Sequence, residues 1–223
     1  MPLSRKLVVE FIGTFFLVFT VCTATSPKTG VGLLAPLAIG AALMAVVFAG
    51  GHISGGHYNP AVSTAVLVRG RMLGSEWGPY VMVQVVGAIM AALIARVVVG
   101  GGHAGTFAGA GRMLIAEFLF TFALGYVVLN VATARGTEGN SFYGLAIGFT
   151  VGAGAFAVGG ISGGAFNPAV ALGASVMGIF KWSNLWIYLI ANFLGGAAAG
   201  FAFLYTQPAE KPEGDVEAAR AGG

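Results

Sequence analysis

Two asparagine-proline pairs, Asn59-Pro60 and Asn167-Pro168, stand in nearly the same setting. Ile53 to Val62 reads ISGGHYNPAV and Ile161 to Val170 reads ISGGAFNPAV, with eight of ten positions identical at an offset of 108. The chemistry on offer is helix capping. As N-cap, Asn59 would accept from the N–H of Ala61 or Val62, and Asn167 from Ala169 or Val170. Proline at the first helical position lacks only an N–H that would be orphaned anyway. Capping uses the amide oxygen, so each NH2 is expected to stay free to donate to a passing solute. The preceding glycines, Gly55-Gly56 and Gly163-Gly164, let non-helical backbone run close to other elements. One such pair alone is an ordinary capped turn. Two copies at matching places in a repeat point to a pore built on two half-helices.

The elements that must position these boxes are helices in lipid. The chain has 223 residues, 57% hydrophobic and 9% charged, with mean hydropathy +0.87. A soluble domain would carry roughly 25% charged residues. Six apolar stretches are long enough to span: 7–25, 33–50, 80–99, 113–132, 142–158 and 185–206. The stretches 59–68 and 167–177 are apolar and helix-like but cover only about 15 Å each, half of a hydrocarbon core. They read as re-entrant half-helices. The 37 glycines suit close packing of helices in a bilayer. The first stretch follows Arg5 and Lys6 and contains Glu10, so it reads as a retained membrane helix rather than a cleaved leader.

The offset of 108 recurs at Gly40 and Gly148 and at Gly87 and Gly195, and Glu10-Phe11 with Thr14-Phe15 recurs as Glu117-Phe118 with Thr121-Phe122 at 107. Each half therefore holds three spans and one half-helix. Three is odd, so the second half enters the membrane upside down. The division expected is a first repeat over 1–108, a second over 109–206, and a disordered cytoplasmic tail over 207–223. With the N-terminus cytoplasmic, seven Lys and Arg fall inside (5, 6, 69, 71, 135, 211, 220) and four outside (28, 96, 112, 181), which favours both ends cytoplasmic. Inversion brings Asn59 and Asn167 together near the midplane. Two facing positive helix ends then repel cations and protons.

A net charge of +3, with no basic run, gives no reason to expect nucleic acid. Cys22, the one cysteine, forms no intrachain disulfide and reads as a packing residue. No nucleophile–base set, metal spacing or cofactor loop is present, so no catalytic residue, metal or cofactor is expected. The glycine-rich segment from Gly100 to Gly111 lacks the Gly-Lys-Ser/Thr ending of a phosphate cradle, and His103 within it carries no signal.

The two Asn-Pro-Ala boxes, Asn59-Pro60-Ala61 and Asn167-Pro168-Ala169, resemble those of the aquaporin (major intrinsic protein) family, as do the Glu-x-x-x-Thr pairs and the six-plus-two layout. The resemblance covers about residues 4 to 206. It implies an all-α membrane protein with an inverted repeat in a right-handed bundle. It further implies a homotetramer with one passive, bidirectional pore per subunit, in the plasma (inner) membrane. It also implies that Glu10 and Glu117 hold the re-entrant loops by hydrogen bonds. Their placement, one per repeat, suits a scaffold better than a proton relay. His52 and His57 read as loop anchors.

By the same resemblance, counting from the boxes, the narrowest point falls at Ile39, Ala155, Gly164 and Val170. Most members carry an arginine where Val170 stands, and water-specific members a Phe at Ile39 and a His at Ala155. Arginine would bring five donors and a fixed charge. Its loss, with small or apolar side chains elsewhere, predicts a wide apolar filter. Water would pass with glycerol, urea, ammonia, hydrogen peroxide or undissociated metalloid acids. The alternative is a water-specific pore refilled by outer-loop residues near Phe107 or Arg112. A coupled transporter is a further rival, with Glu10, Glu117 and the loop histidines as its titratable candidates.

Overall fold

The computed structural model describes residues 1–28 and 31–210. Among these, eight α-helices form and no strands. They are α1 (Leu3–Ala24), α2 (Ala35–Ser54), α3 (Pro60–Arg69), α4 (Gly74–Val99), α5 (Ala110–Thr133), α6 (Tyr143–Ser162), α7 (Pro168–Met177) and α8 (Leu185–Thr206). Six are long and apolar enough to cross a membrane; α3 and α7 are ten residues each. The architecture is six spans plus two half-helices, all α.

Packing follows the repeat. Helix α1 lies on α4 and α2, as α5 lies on α8 and α6. Half-helix α3 packs on α8 and α5, as α7 packs on α4 and α1, so each half-helix is seated mainly in the other half. Helices α2 and α6 cross on Gly40 and Gly148. A Cβ on Gly148 would sit 2.4 Å from the Gly40 carbonyl oxygen. Gly87 and Gly195 play the same part where α4 meets α1 and α8 meets α5. Close backbone approach is how helices associate where lipid supplies no hydrophobic drive between them.

Several boundaries differ from the sequence reading, among them the start of α1, at Leu3 rather than 7. Helices α2 and α6 run to Ser54 and Ser162 instead of ending at 50 and 158. Their interior glycines are tolerated, and the stop comes at Gly55 and Gly163, with φ +91° and +93°. This is the left-handed cap that glycine adopts without steric cost. Helix α4 begins at Gly74, not near 80. Its extra turn is held by Glu76, paired with Lys6 at 2.9 Å, and by Trp77, whose Nε1 donates to Thr64 Oγ1 at 3.1 Å. Glu76 is thus a third acidic residue in a long helix. The expectation of a disordered tail from 207 is corrected for its first residues, since Pro208–Glu210 forms a 3-10 turn. The rest of that tail lies outside the described residues.

Candidate functional site

Each half-helix is preceded by a loop of irregular backbone, and a fully buried carboxylate gathers that loop's donors. Glu10 Oε1 accepts from Ser54 Oγ (2.7 Å) and the His57 N–H (2.9 Å), and its Oε2 from the Tyr58 N–H (2.7 Å) and Gln84 Nε2 (2.9 Å). Glu117 repeats the set with Ser162 Oγ (2.7 Å), Ala165 N–H (3.0 Å) and Phe166 N–H (2.7 Å). Asn192 completes it. With its amide nitrogen toward Glu117, as its neighbours require, it donates to Oε2 (3.1 Å) and its oxygen accepts from the Asn167 N–H (2.9 Å). Tyr80 and Tyr188 donate to the Ser54 and Ser162 carbonyls at 2.8 and 2.6 Å. The sequence reading missed these pairs: Ser54 and Ser162, Tyr80 and Tyr188, Gln84 and Asn192. Their signal was available, since every pair shares the 108 offset and Gln84 and Asn192 interrupt apolar spans.

Tyr58 and Phe166 are the non-glycine residues with positive φ among those described, at +48° and +49°. Such a conformation persists only when its surroundings over-determine it. Here the N–H is held by the carboxylate and the C=O by the opposite box. Asn59 Nδ2 donates to the Phe166 carbonyl and Asn167 Nδ2 to the Tyr58 carbonyl, both at 2.9 Å. The amide oxygens cap the half-helices, accepting from Ala61 (2.8 Å) and Val62 (3.4 Å), and from Ala169 (2.9 Å) and Val170 (3.4 Å). This corrects the expectation of a wholly free NH2. Each amide carries two N–H donors, and one is used to tie the boxes together, leaving one.

Two cavities share His57 and Val128 in their linings. The first, about 300 Å³, is lined by Asn59, Asn167 and all four positions expected at the narrowest point, Ile39, Ala155, Gly164 and Val170. No Asp, Glu, Lys or Arg lines it among the described residues. A Cβ on Gly164 would lie 3.4 Å from Ala155 Cα, so these two positions are neighbours. Phe107 of the loop before α5 also lines the cavity, whereas Arg112 stands exposed at the start of α5, outside it. The second cavity, about 820 Å³, opens on the opposite side between the start of α1, the end of α2 and the α5–α6 turn. His57 lines both, buried, with Nδ1 3.0 Å from Ser63 Oγ. His52 departs from the anchoring expectation. It is exposed on α2 in the wall of the second cavity and makes no hydrogen bond to the loop among the described residues.

The rim of the second cavity is fastened by the ordered start of the tail. Arg69, at the end of α3, is 1% exposed and bonds Glu210 Oε2 (2.8 Å), the Glu210 carbonyl (2.9 Å) and Thr133 Oγ1 (2.9 Å), with Phe203 stacked 4.9 Å away. The Arg135 N–H donates to Glu210 Oε1 at 2.6 Å. Residue 177, which corresponds to Arg69 in the second half, is Met177, so this clip belongs to one side of the molecule.

Comparison with known proteins gives a consistent picture. The family model described as Major intrinsic protein matches residues 1–51 and 35–203. The chain is 35% identical to Aquaporin NIP1-4 of Oryza sativa subsp. japonica over 91% of its own length and 78% of that protein's. It is 33% identical to Probable aquaporin NIP4-2 of Arabidopsis thaliana, covering 94% and 77%. The X-ray structure of the aquaglyceroporin from Plasmodium falciparum shares the fold, with TM-score 0.79 at 19% identity, covering 91% of this chain and 96% of that one.

Proposed function

The chain belongs to the major intrinsic protein family, and we propose that its pore admits small uncharged solutes beyond water through a wide apolar filter. As a family member it is an integral multi-pass membrane protein and a passive channel for water and small solutes, not an enzyme. The solutes proposed are glycerol, urea, ammonia, hydrogen peroxide and undissociated metalloid acids. The observation that carries this reading is the first cavity. Ile39, Ala155, Gly164 and Val170 face it together, and none of them brings a charge or a side-chain donor.

The path proposed runs from that cavity past Asn59 and Asn167 into the second. At the junction the N-termini of α3 and α7 present their positive dipole ends, which oppose cations and protons. The remaining N–H of each box asparagine can hold a solute oxygen as it passes. Glu10 and Glu117 are proposed as loop supports. Each carboxylate accepts hydrogen bonds from loop backbone and neither lines either cavity, which suits a support better than a proton relay. The assembly proposed is a homotetramer in the plasma (inner) membrane, with both termini cytoplasmic.

The test is the Val170→Arg variant in proteoliposomes. It should cut glycerol and urea rates by about tenfold or more, a barrier rise of roughly 1.4 kcal/mol, with water permeation retained. A wild-type protein that passes water while excluding both solutes would sink the wide-filter reading.

A further inference from the structure

We propose that Phe107 sets the size limit of the outer mouth, as a fifth specificity-determining position supplied by a loop rather than by a helix or box. The proposal takes the first cavity as the permeation path and so rests on that reading. Its chemistry is a cut-off by cross-section for neutral, hydroxylated or amide solutes.

Three observations carry it. First, the Phe107 ring lines the same cavity as Ile39, Gly164 and Val170. It is partly exposed there, while the other phenyl ring of the lining, Phe180, is buried behind it. Secondly, the loop is fastened on both sides of the ring. The Gly105 N–H donates to the Ile179 carbonyl at 3.0 Å, and the Ala108 N–H to the Ile161 carbonyl at 2.9 Å. Ile161 opens the second box, and Ile179 follows the half-helix that starts within it. Those bonds fix the backbone that carries the ring, so its bulk is held at the cavity wall. Thirdly, the ring has a rigid backing. Phe107 meets Phe180 edge-on, 5.5 Å between centroids at 88°, and Phe180 stacks on Tyr188 at 4.6 Å and 3°. Its tip rests over the filter backbone, since a Cβ on Gly163 would lie 3.1 Å from Phe107 Cζ. The ring thus stands over Gly163, one residue before the filter position Gly164, and shares the cavity lining with Val170. It contributes bulk and no donor, so it sorts solutes by width.

The experiment uses the full chain reconstituted in liposomes, with a graded neutral series of water, urea, glycerol, erythritol and xylitol. Phe107→Ala should raise the erythritol-to-glycerol rate ratio by about tenfold, with water changing less than about twofold, a discrimination typical of small changes in pocket size. Phe107→Trp should move the ratio the other way and slow glycerol relative to water. Unchanged ratios in both variants, at wild-type water permeability, would reduce Phe107 to a packing residue and leave the wide-filter reading standing. A wild-type protein that excludes glycerol, with Phe107→Ala admitting it, would uphold Phe107 and overturn the wide filter. If the alanine variant does not reconstitute, Phe107→Leu with Phe107→Trp gives the same two-way decision.

Discussion

Glu10 and Glu117 each hold four donors in a fully buried place, and Tyr58 and Phe166 adopt their strained φ at the end of those bonds. Replacing a carboxylate by an amide keeps one acceptor oxygen and turns an NH2 toward N–H groups. A buried donor left without a partner costs roughly 1–3 kcal/mol. Glu117→Gln should therefore lower stability by about 2–4 kcal/mol, read as a lower thermal midpoint in detergent, and Glu10→Gln should do the same. Equal midpoints for wild type and both variants would mean that the loops are held by packing alone. Val170 and Phe107 belong to this scale too, but their effects fall on solute ratios rather than on stability. Neither side chain makes a hydrogen bond whose loss would unsettle the fold.

At the scale of elements, the crossing of α2 on α6 depends on the absence of side chains at Gly40 and Gly148. A Cβ at 148 would meet the Gly40 carbonyl at 2.4 Å and Met44 Cβ at 2.8 Å, so the helices must part. Gly160 lies in the last turn of the same helix, and a Cβ added there would meet nothing within 4 Å. The two positions should respond with opposite sign. Gly148→Ala should lower the thermal midpoint, by overpacking worth about 1–3 kcal/mol. Gly160→Ala should leave it unchanged or raise it, by up to about 1 kcal/mol of helix propensity. A loss at both positions would mean that general helix flexibility, rather than the crossing, sets the effect.

At the scale of the molecule, the Glu210 clip joins the end of α3, the α5–α6 turn and the tail at the rim of the second cavity. The Arg135 N–H holds the Glu210 carboxyl below the usual carboxylate range; burial opposes this, and the Arg69 guanidinium adds to the lowering. A depressed folded value means that the clip's stabilisation is present above the unfolded value of about 4. It is lost as pH falls through the lower folded value. The protection of the Arg135 amide, taken against its intrinsic exchange rate at each pH, should therefore stay high at neutral pH and fall only below about pH 4. In Glu210→Ala, which leaves no side-chain acceptor, it should be low at every pH. High protection in that variant would show that the rim is ordered without the carboxylate.

The sequence alone determined that the chain crosses a membrane six times, that two half-helices enter it, and that Asn59 and Asn167 cap them. Hydropathy over about 20 residues and capping over three residues are local, so the local sequence contains them. It also contained the loop-bracing pairs, as polar residues recurring at one offset, although they stand out only once Glu10 and Glu117 need partners. Tertiary structure decided the rest, because it depends on what a side chain meets from far along the chain. One donor of each box amide is taken by a residue of the opposite half. His52 faces a cavity instead of a loop. Glu210 leaves a tail of disordered composition because a buried arginine awaits it. Phe107, carried by a glycine-rich loop without pattern, reaches the cavity through backbone bonds that no periodicity announces.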